Sequence, residues 1–259
     1  MTQELSRWHP RRLYWALLRR SLGTITHVKT SEPLVALTFD DGPHPEFTPR
    51  LLDILERHQA RATFFLVGET ANQRPDLVGR VAQIGHAIGN HSWDHPSFPY
   101  IPGKERRAQI RACQKALAPY GQRLFRPPYG HQSVSSRLDA FWLGYRVVTW
   151  NLLAGDWEDE DPGRIAGRLI DRIRPGSVIL LHDALHDVLE ERYADRGPAL
   201  QAVDRFLTQL GGRFRCVTVP DLLRSGRPVY QNWYRRGDAE WLNGLERPSG
   251  PSRRYGRRS

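Results

Sequence analysis

A chain of 259 residues, 39% of them hydrophobic, can bury one sizeable core, and a barrel-type domain commonly fills such a length undivided. The net charge of +10 is concentrated at the ends: residues 1–30 hold six Lys/Arg against one acid, residues 225–259 hold eight against three, and residues 31–224 hold twenty-four of each. A neutral body argues against nucleic acid as its partner. We therefore predict a basic N-terminal segment (1–30), a single domain (31–224) and a basic C-terminal tail (225–259).

From residue 33 onward, apolar runs of strand length alternate with amphipathic stretches of helical length, which predicts repeated strand–helix units and a parallel sheet. Seven such strands favour a closed or nearly closed α/β barrel, with an open doubly wound sheet as the alternative. The predicted strands are Val35–Asp40, Ala62–Val67, Ala87–Asn90, Leu124–Arg126, Arg146–Asn151, Ser177–Leu181 and Arg213–Val219. The predicted helices are Pro49–His58, capped by Thr48, and Pro75–Ile84, Lys104–Leu117, Ser133–Leu143, Pro162–Ile173 and Pro198–Leu210.

The two ends have a composition of their own. Residues Arg11–Arg20 enclose an apolar stretch of six residues, too short for a signal-peptide core or a membrane span, so we expect a cytoplasmic or membrane-peripheral protein. This segment fits either a basic amphipathic helix on a membrane surface or a helix packed on the domain. The end of the chain, Arg247–Ser259, is expected to be disordered, and both tails are candidates for contact with an anionic membrane or polymer.

Chemically versatile side chains follow the predicted strands, at the edge where parallel α/β folds carry their functional groups. Because this clustering is unlike a random scatter of polar residues, it predicts an active site on one rim. The residues are Asp40, Asp41, Asn90, His91, Arg126, Asn151, Asp156, His182 and Asp183.

Two histidines and one aspartate on this rim form a candidate metal site. His91 and His95 are spaced by one helical turn, which lets both imidazoles face one point, and Asp41 would complete a two-histidine, one-carboxylate set. Such a set leaves positions for water and substrate. It also occurs in non-haem iron oxygenases, but that interpretation leaves Asp40, Arg126 and His182 without roles.

Proton transfer has its own candidates. His182 ends an apolar run and could donate a proton if Asp156 or Asp183 oriented it. The rigid Pro-Pro segment after Arg126 fixes that arginine at a strand end, where it could pair with Asp40 and hold it ionised.

With these residues in place, the region from about Pro33 to Leu223 resembles the polysaccharide deacetylases of the NodB-homology type, carbohydrate esterase family 4. The resemblance rests on five segments in order: Thr38–Pro43 (TFDDGP), His91–His95 (HSWDH), Arg126–Tyr129 (RPPY), Asp156–Trp157 and Leu181–Asp183 (LHD). The first two together are highly specific for this family, whereas the last two are short.

The resemblance implies a distorted (β/α) barrel that binds one divalent metal ion, usually zinc. By carry-over the metal ligands would be Asp41, His91 and His95, and Asp40 would be the general base, held by Arg126. His182 would be the general acid, tuned by Asp156, while Tyr129, Trp157 and Leu181 would line the acetyl pocket.

The activity that the resemblance implies is hydrolysis of N-acetyl groups on N-acetylglucosamine units of a polysaccharide or oligosaccharide. Two alternatives share the fold: an esterase acting on O-acetyl xylan, or an amidase acting on another small amide. A catalytically degenerate glycan-binding domain is a third, although the residues expected for metal, base and acid are all present.

Overall fold

The structure, a computed structural model, describes Leu18, residues 21–188 and residues 190–236. The strands of this part are β1 (Thr24–Lys29), β2 (Leu34–Asp40), β3 (Ala62–Leu66), β4 (Ala87–Asn90), β5 (Gly121–Phe125), β6 (Arg146–Val147), β7 (Leu152–Leu153), β8 (Val178–His182), β9 (Arg215–Cys216) and β10 (Arg227–Gln231). The α-helices are α1 (Phe47–Arg57), α2 (Gly68–Gln73), α3 (Pro75–Gln83), α4 (Gly103–Ala116), α5 (Val134–Trp142), α6 (Pro162–Ile170), α7 (Gly197–Leu210) and α8 (Val219–Arg224).

A curled parallel sheet in the order β6-β5-β4-β3-β2-β8-β7 forms the frame, and β9 pairs with the start of β2. It confirms the predicted distorted barrel of about seven parallel strands. Helices cover its outer face, where Leu37 and Phe39 of β2 pack in one apolar cluster with Leu51 of α1 and Phe206 of α7. The other face of β2 carries Thr38 and Asp40, because successive side chains of a strand alternate between its faces. The site is therefore built on the inner face.

Strands β6 and β7 are not neighbours in the sheet, and β1 lies across the gap between β6 and β8. The backbone N–H of Thr149 donates to the carbonyl of Ile25 at 2.8 Å, and that of Val28 donates to Gly176 at 2.9 Å. Strand β1 also pairs antiparallel with β10. The folded unit therefore extends beyond residues 31 and 224, the bounds that composition predicts.

The six predicted helices are present, and α2 and α8 are additional. Three predicted strands are wrong in extent: Leu124–Arg126 is observed as Gly121–Phe125, and two other ranges keep fewer strand residues than predicted. The range Arg146–Asn151 is interrupted because its middle leaves the sheet to bond β1. The range Arg213–Val219 keeps two strand residues, since Thr218 accepts from the backbone N–H of Asp221 and thereby caps α8.

The predicted helix within Arg11–Arg20, apart from Leu18, and the predicted disorder of Arg247–Ser259 lie outside the described residues. Among the helices that the structure does describe, none combines the length and the apolar character that crossing a bilayer requires.

Candidate active site

Three side chains at the carboxyl ends of β2 and β4 converge on one point. Oδ1 of Asp41 lies 3.3 Å from Nε2 of His91 and 3.2 Å from Nε2 of His95. All three residues are buried, and each can present one atom to a single ion. The sequence therefore identified a set of side chains that the fold does bring together.

The path of the backbone between the two histidines differs from the prediction. Residues 91–97 are not helical, and Ser92 (φ 70°) and His95 (φ 61°) adopt the left-handed region. Asp41 (φ 72°) does the same. Such conformations are unfavourable outside glycine and persist where the surrounding structure imposes them, often at functional sites. A strained loop, rather than a helical turn, aims these side chains at one another.

The donor atoms of this cluster suit a divalent cation. Nδ1 of His91 is 2.7 Å from the backbone carbonyl of Arg126, which can only accept, so Nδ1 carries a proton and Nε2 is the nitrogen that can offer a lone pair to a cation. A lone-pair nitrogen, a second imidazole and the Asp41 carboxylate are the ligand types that zinc prefers in catalytic sites. The residues present fit such an ion.

The electrostatics of the cluster are dominated by mutual attraction. Burial raises the pKa of Asp41, but His95 and His91 outweigh it and hold this pKa well below its usual range. Burial lowers the pKa of His95, yet Asp41 and Asp187 reverse the effect and raise it to about 10. The carboxylate is therefore ionised, which a cation site requires.

Asp40, beside the cluster, is paired with Arg126 as the sequence suggested. Nη1 of Arg126 donates to Oδ1 of Asp40 and to Oγ1 of Thr38, both at 2.7 Å. The other guanidinium nitrogens donate to the carbonyls of Val148 and Thr149, and the arginine is fully buried. Oδ2 of Asp40 is 3.8 Å from Nε2 of His91. One carboxylate oxygen is thus fixed while the other faces the cluster.

His182 ends β8 directly beside Asp40 in the parallel register of β2 and β8. Asp156 orients it, with Oδ1 at 3.2 Å from Nδ1 and Oδ2 accepting from the backbone N–H at 2.9 Å. Burial lowers the pKa of His182, but the negative charges of Asp156, Asp41 and Asp40 outweigh burial and raise this pKa. Asp156 is itself held by the buried Arg196, which donates to its Oδ2 at 2.5 Å and to its backbone carbonyl at 2.9 Å. The sequence contained no signal for Arg196.

Aromatic side chains flank both sides of the cluster. The ring of Trp157 lies 5.4 Å from that of His182, edge to face, and the ring of Tyr129 lies 4.4 Å from that of His95. Leu181 is misplaced by the prediction: it is on the outer face of β8, 1% exposed, in the apolar cluster under the helices. Leu180 shares the inner face with His182 and packs in the cluster that contacts Trp157.

Two other rim candidates have structural contacts instead. Asn151 lies at the opposite end of the barrel, where its side-chain oxygen accepts from the backbone N–H of Val178 at 2.8 Å. Asp183 is turned away from His182 and accepts from the hydroxyl of Thr48. Burial raises the pKa of Asp183 to about 7. Thr48 therefore does not cap α1, which begins at Phe47.

The loop that follows β8 adds two residues to the rim that sequence reasoning missed. The backbone N–H of His186 donates to Oδ2 of Asp41 at 3.0 Å. Oδ2 of Asp187 lies 3.2 Å from Nδ1 of His95 and accepts from the hydroxyl of Tyr129. The only sequence signal was the pair itself, a histidine and an aspartate soon after a strand end.

A seven-stranded α/β barrel with paired carboxylates and histidines at its carboxyl rim defines a hydrolase-type site. Residues 27–148 match the family model described as polysaccharide deacetylase. The chain is 37% identical over 199 residues to a peptidoglycan-N-acetylglucosamine deacetylase of Bacillus cereus, covering 74% of this chain and 69% of that protein. It belongs to the polysaccharide deacetylase family, carbohydrate esterase family 4, and is a carbohydrate deacetylase.

Two further similarities agree with this assignment. A chitooligosaccharide deacetylase of Azorhizobium caulinodans is 39% identical over 166 residues, covering 62% of this chain and 79% of that protein. The crystal structure of a peptidoglycan N-acetylglucosamine deacetylase in complex with 4-naphthalen-1-yl-N-oxidanyl-benzamide superposes with a TM-score of 0.72. Its sequence identity is 32%, and the match covers 86% of this chain and 100% of that one.

Proposed function

We propose that this protein is a zinc-dependent hydrolase that removes N-acetyl groups from N-acetylglucosamine units of a polysaccharide or oligosaccharide. The observation that carries the proposal is the arrangement on the rim. Asp41, His91 and His95 form the ligand cluster. Next to this cluster lie the carboxylate of Asp40, which is suited to act as a general base, and the imidazole of His182, which is suited to act as a general acid. The relatives named above act on N-acetylglucosamine in peptidoglycan and on chitooligosaccharides.

A divalent cation held by Asp41, His91 and His95 would supply Lewis-acid polarisation of the acetyl carbonyl and would acidify water in its coordination sphere. Asp40 accepts the proton of the attacking water on Oδ2, because Arg126 already occupies Oδ1. The buried guanidinium of Arg126 holds this carboxylate in one orientation.

His182 completes the reaction by protonating the leaving nitrogen. Asp156 occupies Nδ1 of His182, so Nε2 is the atom that donates. A neutral amine leaves far more readily than an amide anion, so the site needs an acid as well as a base. Trp157, Tyr129 and Leu180 are the apolar and aromatic groups we assign to the acetyl pocket.

Substitution of Asp40 by Asn tests this division of roles. We expect kcat to fall by about 10²–10⁴, the usual contribution of a general base, while zinc remains bound because Asp40 is not a ligand in the cluster. Asp53→Asn, which neutralises an exposed aspartate paired with Arg80, is the matched control and should leave kcat unchanged.

The measurements are acetate release from chitin oligosaccharides and zinc content of the purified protein. Full turnover by Asp40→Asn would remove Asp40 from the mechanism. Faster release from acetylated xylan than from chitin oligosaccharides would favour the O-acetyl esterase alternative. Absence of release from both, with zinc bound, would favour a glycan-binding domain.

We also propose that the basic tails place the enzyme against an anionic surface. The proposal is supported by the place where the described part of the chain begins and ends: the side-chain amide of Gln132, three residues after Tyr129, donates to Oγ1 of Thr24 and to the carbonyl of Trp233, both at 2.6 Å. The residues from which the two basic tails continue are therefore close to each other and to the catalytic rim.

A further inference from the structure

Three side chains at the ligand cluster contact the carboxylate of Asp187. Its Oδ2 lies 3.2 Å from Nδ1 of His95 and 3.3 Å from Nδ1 of His186, and it accepts from the hydroxyl of Tyr129. The side chain of Asp187 is about one-third exposed, at 32%, whereas that of His95 is 4% exposed. The aspartate therefore sits between solvent and a buried histidine.

The two histidines of the cluster use the same ring nitrogen toward Asp41. In each, Nε2 faces Oδ1 of Asp41, and Nδ1 points to a separate oxygen. For His91 this oxygen is the backbone carbonyl of Arg126, and for His95 it is the carboxylate of Asp187. Since a carboxylate can only accept, Nδ1 of His95 carries a proton toward Asp187, and Nε2 is the nitrogen that faces the site where a cation would bind.

We propose that Asp187 is a positioning residue that fixes the tautomer and ring orientation of the metal ligand His95. This inference rests on the proposed metal-dependent function. Histidine ligands generally donate their second N–H to a carboxylate, carbonyl or water, and loss of that partner costs about 10- to 100-fold in metal affinity. His95 needs such a partner because it lies in a loop with a left-handed backbone, where no helix restrains its ring.

The segment that carries Asp187 also restrains a second ligand. The backbone N–H of His186 donates to Oδ2 of Asp41 at 3.0 Å, which leaves Oδ1 directed at the two imidazoles. Two neighbouring residues of the loop after β8 therefore hold two of the three ligands. This loop therefore supports the cation site, although it lies outside the segments that supply the three ligands.

The test is zinc affinity, measured by competition with a chromophoric chelator on the full chain. We expect Asp187→Ala to weaken zinc binding by about 10- to 100-fold, and Asp187→Asn by less, because an amide oxygen still accepts from Nδ1. Glu190→Gln removes an exposed carboxylate of the same loop, paired with Arg192, and should bind zinc as the parent does.

A second measurement separates positioning from general loss of structure. In ¹⁵N-histidine NMR spectra of the zinc-loaded protein, His95 should show a protonated Nδ1 and a metal-bound Nε2, and Asp187→Ala should broaden or shift that signal while His91 keeps its own. Unchanged zinc affinity in Asp187→Ala, or an unprotonated Nδ1 of His95 in the parent, would overturn the inference. If the parent itself bound no zinc and released no acetate, the proposed function would fail instead.

Discussion

At the scale of single residues, the acid side of the site depends on one buried carboxylate. Asp156 raises the pKa of His182, so the protonated imidazole persists to higher pH than an isolated histidine would allow. His182 must be protonated to donate, and activity is lost as pH rises through its folded pKa. The alkaline limit of catalysis therefore reports the strength of the Asp156–His182 pair.

Asp156→Asn should move that limit to lower pH, because the amide removes the charge that favours imidazolium. The measurement is kcat/KM for acetate release across the pH range, and at pH 8 we expect a loss of at least about tenfold. Glu158→Gln, an exposed neutralisation two residues away, should keep the parent profile. An alkaline limit that stays in place in Asp156→Asn would show that another group sets it.

Residues of the site differ in how well sequence could predict them. Asp40, Asp41 and His182 follow buried strands, and parallel strands end at one edge, so their proximity follows from chain order. Arg196 and Asp187 lie in the irregular loop after β8 and reach partners 40 and 92 residues away, a relation that no local pattern encodes.

The error at Leu181 has a different cause, which is the alternation of side chains along a strand. A shift of one residue moves a side chain from the inner face of β8 to the outer face. A role assigned from position in the short LHD segment is therefore wrong if the position is off by a single residue. Once His182 is placed on the inner face, Leu180 rather than Leu181 must accompany it.

At the scale of elements, β1 connects the end of β6 to the start of β8, two strands that are not neighbours in the sheet. Composition grouped β1 with the basic end, and its partner β10 lies about two hundred residues along the chain, so neither was predictable from local pattern. Gly176 is the point where β1 meets the start of β8: its φ is +84°, and a Cβ there would lie 1.7 Å from the carbonyl oxygen of Val28. A side chain at this position would therefore displace β1.

Gly176→Ala should therefore lower stability strongly. Gly144→Ala is the matched control, since Gly144 has φ +79° but open space around its missing Cβ. Both substitutions carry the cost of a left-handed alanine, about 1–2 kcal/mol, and Gly176→Ala alone adds displacement of β1, about 1–3 kcal/mol. Thermal unfolding measures the difference. Equal Tm values for the two variants would mean that β1 is not held at Gly176.

At the scale of the whole molecule, the structure moves the boundaries between the folded domain and the basic ends away from those that composition predicts. Residues 1–20 and 237–259 hold ten arginines against four acids, so these short ends carry +6 of the net +10. The fold includes part of the predicted N-terminal segment and part of the predicted tail, because β1 and β10 belong to it. Any removal of the tails must therefore spare residues 24–29 and 227–231.

The hydroxyl of Tyr234 donates to the carbonyl of Leu22 at 2.9 Å, so the first and last residues of the described fold are neighbours. A chain shortened to residues 21–236 should lose binding to phosphatidylglycerol vesicles at low salt while its turnover of soluble chitin oligosaccharides stays within about twofold. Each cationic residue near an anionic surface contributes about 1 kcal/mol, so losing three contacts weakens binding about 100-fold.

A full-length chain with the ten terminal arginines changed to glutamine separates charge from length, and it should behave as the shortened chain does. Co-sedimentation with phosphatidylglycerol and phosphatidylcholine vesicles at two salt concentrations gives the answer, because electrostatic attachment weakens as the Debye length falls. Equal binding of the parent to both lipids, or binding that survives in the glutamine variant, would assign attachment to apolar side chains. Binding to an anionic polysaccharide without binding to vesicles would make the polymer the partner of the tails, with the catalytic rim still beside it.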